Sequence, residues 1–573
     1  MSNSKKVFAV FAATFSMLAA AQQQPGAGDV LRQEAPKEPL PISPSTAPVL
    51  PQVTPTKPAL PPTTRVNVTV KDFRFSGNTV FPAAELRETV REFIGKTLDF
   101  NGLNDAAGRV QRHYRERGYF LAVAYLPQQE IKDGIVEIAV LEGRLGAINL
   151  QMDPKTRLRE SFVRSILDAH LKRGDLITEN ALERPLLLLR DLPDVEVTSE
   201  LAPSKAQVGA ADLTVKLAEN RRVVSGYVDV DNQGNRFTGE YRFGINLNTS
   251  NFTGYGDLLS FRGFFTNEEM KFGRLSYVFP VGPYGTRLGA AVTAFDYKLG
   301  KDFESTGANG EGQVYTLYAL HPFLRTRNSN VFVQAGVEAK RLKDQIATGA
   351  DNEEHKINSA KLGVVGDFRD RLLSGGLNSY SATLTAGKVD ISPQTALDID
   401  QAAGIGPETN GRFTKWNVDA RRLQRLTDSF NLLLSYSAQL ASKNLTAAEK
   451  MSLGGPNGVR AYPVGEAPGD SGQLFTAELR YIIPNVKVFG GDVTPSVFFD
   501  HGQVKTLQDP PDADPTAGRN RRSISGYGIG LSVGREGNFL VRANLAKPAD
   551  DETPISDTKK RDPRLWVQAI KWF

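Results

Sequence analysis

From Arg221 to Phe573 the sequence alternates. In "FTGEYRFGINLN" (237–248) Tyr241, Phe243, Ile245 and Leu247 are apolar, while Glu240, Arg242, Gly244, Asn246 and Asn248 are not, and "VFVQAGVEAK" (331–340) repeats the scheme. Period-two alternation describes strands with two unlike faces. A second face of charges and glycines would be out of place in a sandwich core, but it suits the wet lumen of a barrel whose outside meets lipid. About sixteen such segments can be counted, each near the roughly 9–11 residues that a tilted membrane strand requires.

The connections supply a test. Every second one is short ("VGPYG", "RTRNS", "RLTDS"), while several of the others are long (298–311, 344–355, 390–411, 442–472, 505–521, 549–561). Outer-membrane barrels have short inner turns and long outer loops. A soluble all-β domain needs no such parity. With the residues before 220 on the inner side, every long connection lies outside, 442–472 is the sixth outer loop, and the chain closes on "LWVQAIKWF". The expected fold is a transmembrane antiparallel β-barrel of about sixteen strands over 220–573.

The remaining segments read differently. Residues 1–21, "MSNSKKVFAVFAATFSMLAAA", have the two lysines, apolar run and small-residue end of a secretory signal peptide, cleaved before Gln22. Export without any cysteine means a fold held together without disulfides. No other run is long enough for a membrane helix. The formal net charge of +5 includes Lys5 and Lys6 of the leader, so nucleic acid is a poor partner. Residues 36–65 are a proline-rich linker. Before it, 22–35 contain "AGDVLRQEA", with Asp29 as a candidate N-cap; on its residues alone this reads as an unstructured end.

Residues 66–142 read as strand, helices, strand, strand. Leu103, Ala107, Val110 and Tyr114 share one helix face with Gly118 as its stop, and a turn at Lys132-Asp133-Gly134 precedes "IVEIAVLEG". Residues 143–219 repeat that order, giving two tandem α+β units on the inner side of the barrel. Pro185 lies within the helix drawn from Thr178, so that helix is expected to kink or to begin later.

Enzymatic motifs are not found. The five histidines are scattered without metal-ligand spacing, and neither a nucleophile elbow nor a P-loop is present. "GYGIGLSVGREG" (526–537) places glycines at alternate positions of a predicted strand, a smooth strip for close backbone approach. No enzyme activity, metal or cofactor is expected.

Within the sixth loop, "GGPNGVRAYPVGEAPGDSG" (454–472) sets Arg460 among Val459, Ala461 and Tyr462. A loop that stayed in water would avoid those residues amid so many turn formers. Folding inward would pack them on the wall and bring Arg460 to a carboxylate there. Asp500 in "SVFFDHGQV" (496–504) is a candidate, with Phe499 and His501 facing outward. By spacing alone, a solvated loop arginine is an equally good account.

The sequence resembles the outer-membrane transporters of two-partner secretion, the haemolysin secretion/activation proteins, which share a superfamily with the barrel-assembly factor BamA. The likeness rests on POTRA-like repeats ("RERGYFLA", "VLEGRLG", "ALERPLLLLRDLPDVEVTSELAP"), a C-terminal barrel, "GGPNGVRAY" and "FFDHG". It implies that Arg460 of a V-R-G-Y/F loop motif pairs with Asp500 of an F-x-D-x-G strand motif, with Val459 and Tyr462 at the flanking positions. Ala461 stands where the motif has glycine, so no glycine-only backbone angle is required there. The resemblance also implies that 22–35, including Asp29, Leu31 and Arg32, form a pore-plugging helix. The implied function is export of one large exoprotein, an adhesin or cytolysin, by a monomer in outer-membrane lipid. Its periplasmic POTRA-like repeats would bind unfolded cargo. The alternatives are an assembly factor for outer-membrane barrels and, less well supported, a passive porin.

Overall fold

The structure is a computed structural model that describes residues 24–34, 52–53, 67–219, 224–345, 352–512, 520–557, 559 and 561–573. The leader (1–21) and all of the 36–65 linker except Gln52–Val53 lie outside the described residues.

Alternation produces a closed antiparallel barrel of 16 long strands, from Val224–Asp231 to Arg564–Trp572. These two strands pair with each other, Tyr227 opposite Trp572 and Asp231 opposite Gln568, so no edge is left open. Outward positions carry exposed apolar side chains such as Phe243, Phe265, Leu317, Leu362 and Ile529. Among the described residues no helix is long and apolar enough to cross a membrane. Short connections, such as 282–285, 326–328 and 426–429, gather at the end that holds the N-terminal arm. The opposite end carries 393–410, 442–470, 506–512 and 549–557.

The lumen is not polar throughout, as the alternation alone suggests. At the outer end the inward residues Phe264, Phe272, Phe295, Val314, Leu342, Ile357 and Phe413 form an apolar cluster with Ala27, Val30 and Leu31. These three belong to a short helix, Ala27–Glu34, seated inside the barrel mouth. Burying apolar wall against an apolar helix face explains why these positions depart from the polar pattern.

In the first arm unit, strands Asp72–Ser76 and Ile135–Leu141 pair in parallel and Val123–Tyr125 pairs antiparallel to the latter. Helix Phe100–Glu116 buries Leu103, Ala107, Val110 and Tyr114, the face its spacing predicts. Asp99 caps it by accepting from the Gly102 N–H at 2.8 Å. The buried carboxylate of Glu142 accepts from the backbone N–H groups of Thr79 (2.6 Å) and Val80 (2.7 Å), from the Tyr114 hydroxyl (2.9 Å) and from the Thr79 hydroxyl. Burial alone would raise its pKa, yet these donors hold it below the ordinary carboxylate value. The Tyr114 hydroxyl is pushed up, by burial first and then by its bond to Glu142. Gly143 follows at φ +78°, where a Cβ would lie 2.6 Å from the Leu121 Cβ, so both conformation and space call for glycine.

The second unit has strands Arg144–Met152, Val195–Pro203 and Ala210–Glu219, with helices Glu160–His170 and Glu179–Arg190. Of the two expectations about Pro185, a later start is not what is found: the latter helix starts at Glu179, with Thr178 accepting from the Ala181 N–H, and includes Pro185. Pro185 is buried, and Leu182, Leu186 and Leu189 around it are fully buried, so packing offsets the lost backbone bond. The same helix bolts the arm to the barrel. Arg184 donates to the carbonyls of Pro322 (2.8 Å) and Phe323 (3.2 Å), and Arg327 of a short turn meets Glu183 at 2.5 Å and also Glu179. Asp191 at its end holds Arg325 through two bonds of 2.6 and 2.8 Å. Gln52–Val53 adds to this unit's sheet, parallel to Val195–Pro203, with Gln52 opposite Glu200.

Candidate functional site

The sixth outer loop lies between strands Phe430–Ala441 and Ser471–Tyr481 and folds into the lumen. Its tip closes on itself: the Val459 N–H donates to the Leu453 carbonyl (2.7 Å) and the Gly455 N–H to the Tyr462 carbonyl (3.1 Å). Val459, Ala461 and Tyr462 are buried against Phe498, Val504, Ile524 and Ala546 of the wall. Ala461 is not in the left-handed region, and its methyl rests on the glycine strip: a Cβ on Gly526 would come within 2.6 Å of the Ala461 Cβ. That is the close approach the alternating glycines imply.

Arg460 is only 6% exposed. Its Nε and Nη2 each lie 2.9 Å from one Asp500 oxygen, a bidentate pair, and its backbone N–H donates to the same carboxylate at 3.1 Å. Nη1 reaches Glu478 at 2.8 Å. The guanidinium carbon stands 3.3 Å from the Phe498 ring centre, and the Trp566 indole donates to the Arg460 carbonyl at 2.7 Å. Tyr462 donates to Asp550, in the eighth loop, and Glu466 receives Arg522 (2.6 Å) and the Ser556 N–H (2.8 Å).

The base of the loop is anchored separately. Glu449, 2% exposed and at the end of the turn Ala447–Glu449, meets Lys340 at 2.6 Å and Lys415 at 2.8 Å. The other side of that turn holds helix Ala27–Glu34. Arg32 donates to the Ala447 carbonyl (3.0 Å), and Gly28 is so close that a Cβ would lie 2.9 Å from the Ala448 nitrogen. Asp344 of the wall accepts from the Ala27 N–H at 2.7 Å, and Glu34 meets Arg242 at 2.7 Å. Asp29 is not the N-cap that the sequence suggested. It lies within the first turn, where it accepts from the Gly26 N–H (3.1 Å) and pairs with Arg32 (2.5 Å). Leu31 is buried on the apolar wall.

The structure thus brings together Arg460 with Asp500, and Asp29, Leu31 and Arg32 with the loop base and barrel mouth. Sequence reasoning did not single out Glu478, Trp566 or the Glu449 cluster. Glu478 and Phe498 could have been found from register, because they face each other across neighbouring strands two residues from Thr476 and Asp500. Glu449 left no local trace, since its partners lie 109 and 34 residues away.

Comparisons with known proteins agree with this architecture. Residues 209–533 match the family described as haemolysin secretion/activation protein ShlB/FhaC/HecB, and residues 68–143 match the ShlB-type POTRA domain. The heme/hemopexin transporter protein HuxB of Haemophilus influenzae is 30% identical over 85% of this chain and 84% of its own length. The outer membrane transporter CdiB of Dickeya dadantii is 24% identical over 81% of this chain and 80% of its own. The solved structure of CdiB from Escherichia coli shares the fold, with a TM-score of 0.67 at 21% identity over 92% of this chain and 94% of its own. The chain belongs to the haemolysin secretion/activation family, the outer-membrane transporters of two-partner secretion, with its POTRA domains in the periplasm.

Proposed function

We propose that this transporter exports one dedicated large exoprotein, of adhesin or cytolysin type, as a monomer, and that its resting lumen is closed twice. Helix 27–34 is the plug at the outer mouth, and the sixth loop, set by Arg460 on Asp500 and Glu478, is the second barrier. The observation that carries the reading is that helix 27–34 packs on the inner wall at the outer mouth and the sixth loop is bound within the lumen, on a barrel whose opposite end bears the arm. Residues 35–51 extend at most about 60 Å, enough to run from the plug through a bilayer-thick barrel of about 40–45 Å to Gln52 on the arm.

Unfolded cargo binds the arm by adding a strand. The edge of Val195–Pro203 already accepts Gln52–Val53, which supports it as the docking edge. Cargo then passes the displaced plug and loop, driven by its own folding outside.

The test is quantitative proteomics of culture medium and outer membrane, with and without the gene. Loss of one large protein from the medium, with other barrels unchanged, is the expected result. Depletion of many barrels would make this chain an assembly factor. Loss of solute permeability alone would make it a porin.

A further inference from the structure

On the arm side of the loop tip the lumen is rich in guanidinium groups. A cavity of about 260 Å³ is lined by Glu478, Arg480, Thr494, Ser496, Ser532 and Arg542, among others. Arg480 lies opposite Ser496 and Arg542 opposite Ser532, so small side chains separate the two arginines across the sheet. Arg480 meets one oxygen of Glu478 at 2.7 Å, while the other oxygen is taken by Arg460 at 2.8 Å. Among the described residues the side chains of Arg421 and Arg542 have no ion pair or hydrogen bond, and Arg542 stands in the electrostatic field of Arg480, Arg460 and Arg421, offset by Glu478 alone. Four arginines therefore share two carboxylates, Glu478 and Asp500, both already committed to Arg460.

We propose that this cavity is an oxyanion site, and that its physiological ligand is the carboxylate of an acidic side chain on the polypeptide in transit. Arg542 and Arg480 hold the carboxylate and Arg421 adds field. Guanidinium forks match carboxylates, and a lumen walled by apolar material focuses the cationic potential. The position favours a passing chain: Asn431 and Ile482, also in the lining, adjoin the inner turns 426–429 and 482–490, the side from which cargo arrives. The inference rests on the transport reading and adds a chemical preference within the path.

The test is calorimetric titration of the full-length protein in detergent with three probes: a short end-capped peptide rich in glutamate, the same peptide with glutamine, and inorganic phosphate. The glutamate peptide should bind at least about tenfold more tightly than its glutamine counterpart, and phosphate should compete with it. The double variant Arg421→Gln, Arg542→Gln should weaken binding at least about tenfold. Ser496→Glu, which places a resident carboxylate opposite Arg480, should abolish it. Heat-modifiable migration on gels confirms that each variant barrel is folded. Absent or equal binding of the two peptides, or unchanged affinity in both variants, overturns the proposal. So does binding of phosphate alone, which would assign the cavity to a small free anion. None of these outcomes touches the transport reading, which the gene-deletion proteomics tests independently.

Discussion

The two anchors of the sixth loop are mirror images in charge. At the tip one cation, Arg460, is held by two carboxylates; at the base one carboxylate, Glu449, is held by two lysines. Their geometry differs in kind. The guanidinium is planar, engages Asp500 through two parallel bonds, stacks on Phe498 and is fixed by backbone bonds on both sides, so one arrangement satisfies it. The two ammonium groups are point charges on flexible stems, tolerant of small displacements. The tip therefore defines where the loop sits. The base, whose turn also binds Arg32 and abuts Gly28, is one of the contacts that hold the helix, beside those of the wall.

Removing Arg460 should have the largest effect. Arg460→Ala leaves Asp500, which is fully buried, without its cation, a loss of order 3–5 kcal/mol. Cargo in the medium should fall about tenfold or more while folded barrel stays in the membrane; normal secretion would remove the tip from the mechanism. Arg460→Lys sharpens the comparison, because it keeps the charge and loses the fork. It should secrete nearly as poorly as the alanine variant, whereas Lys415→Arg at the base should secrete normally. Equal tolerance at both anchors would mean that charge alone matters.

Next in size is Glu449→Gln, which keeps shape but leaves two buried lysines with only Glu338 near Lys340. The loop base should loosen and release the helix more often, seen as a several-fold rise in mean conductance in planar bilayers. Secretion should change less than with Arg460→Ala. Conductance equal to that of the wild type would show that the helix is retained by its wall contacts, such as Ala27 with Asp344, instead of by the loop.

How much of this was legible follows from how locally each feature is encoded. Barrel, loop parity and the tandem arm are written in periodicity and in turn residues. The Arg460–Asp500 pair needed family likeness, because 40 residues separate the partners and no local rule joins them. Glu449 with Lys340 and Lys415 was invisible, since each looks like an ordinary polar residue until the sheet closes. Pro185 shows the opposite case: its local rule argues against a helix through that position, but surrounding leucines offset the missing bond and the helix includes it.

A smaller effect is expected where the tip rests on the glycine strip. Gly526→Ala would place a methyl 2.6 Å from the Ala461 Cβ. Overpacking of this kind costs about 1–3 kcal/mol. Adding Ala461→Gly should recover much of it. Thermal unfolding of both single variants and the double variant measures the coupling; additive losses would mean that the two residues do not press on each other.

Glu142 in the arm extends the comparison to a buried carboxylate held by neutral donors alone, with no cation at ion-pair distance among the described residues. Its folded pKa lies below the ordinary 4.5, so its contribution to stability is complete above that value and is lost as pH falls through the folded pKa. Hydrogen exchange in Ile135–Leu141, corrected for intrinsic rates, should show constant protection from about pH 8 to 5 and weaker protection below. Glu142→Gln should flatten the acid dependence that this group contributes and lower protection at neutral pH, because an amide replaces one acceptor with a donor facing donors. The effect should be smaller than at either loop anchor, since no charge is left unpaired by the change. An acid profile identical in variant and wild type would show that other carboxylates, not Glu142, govern the unit at low pH.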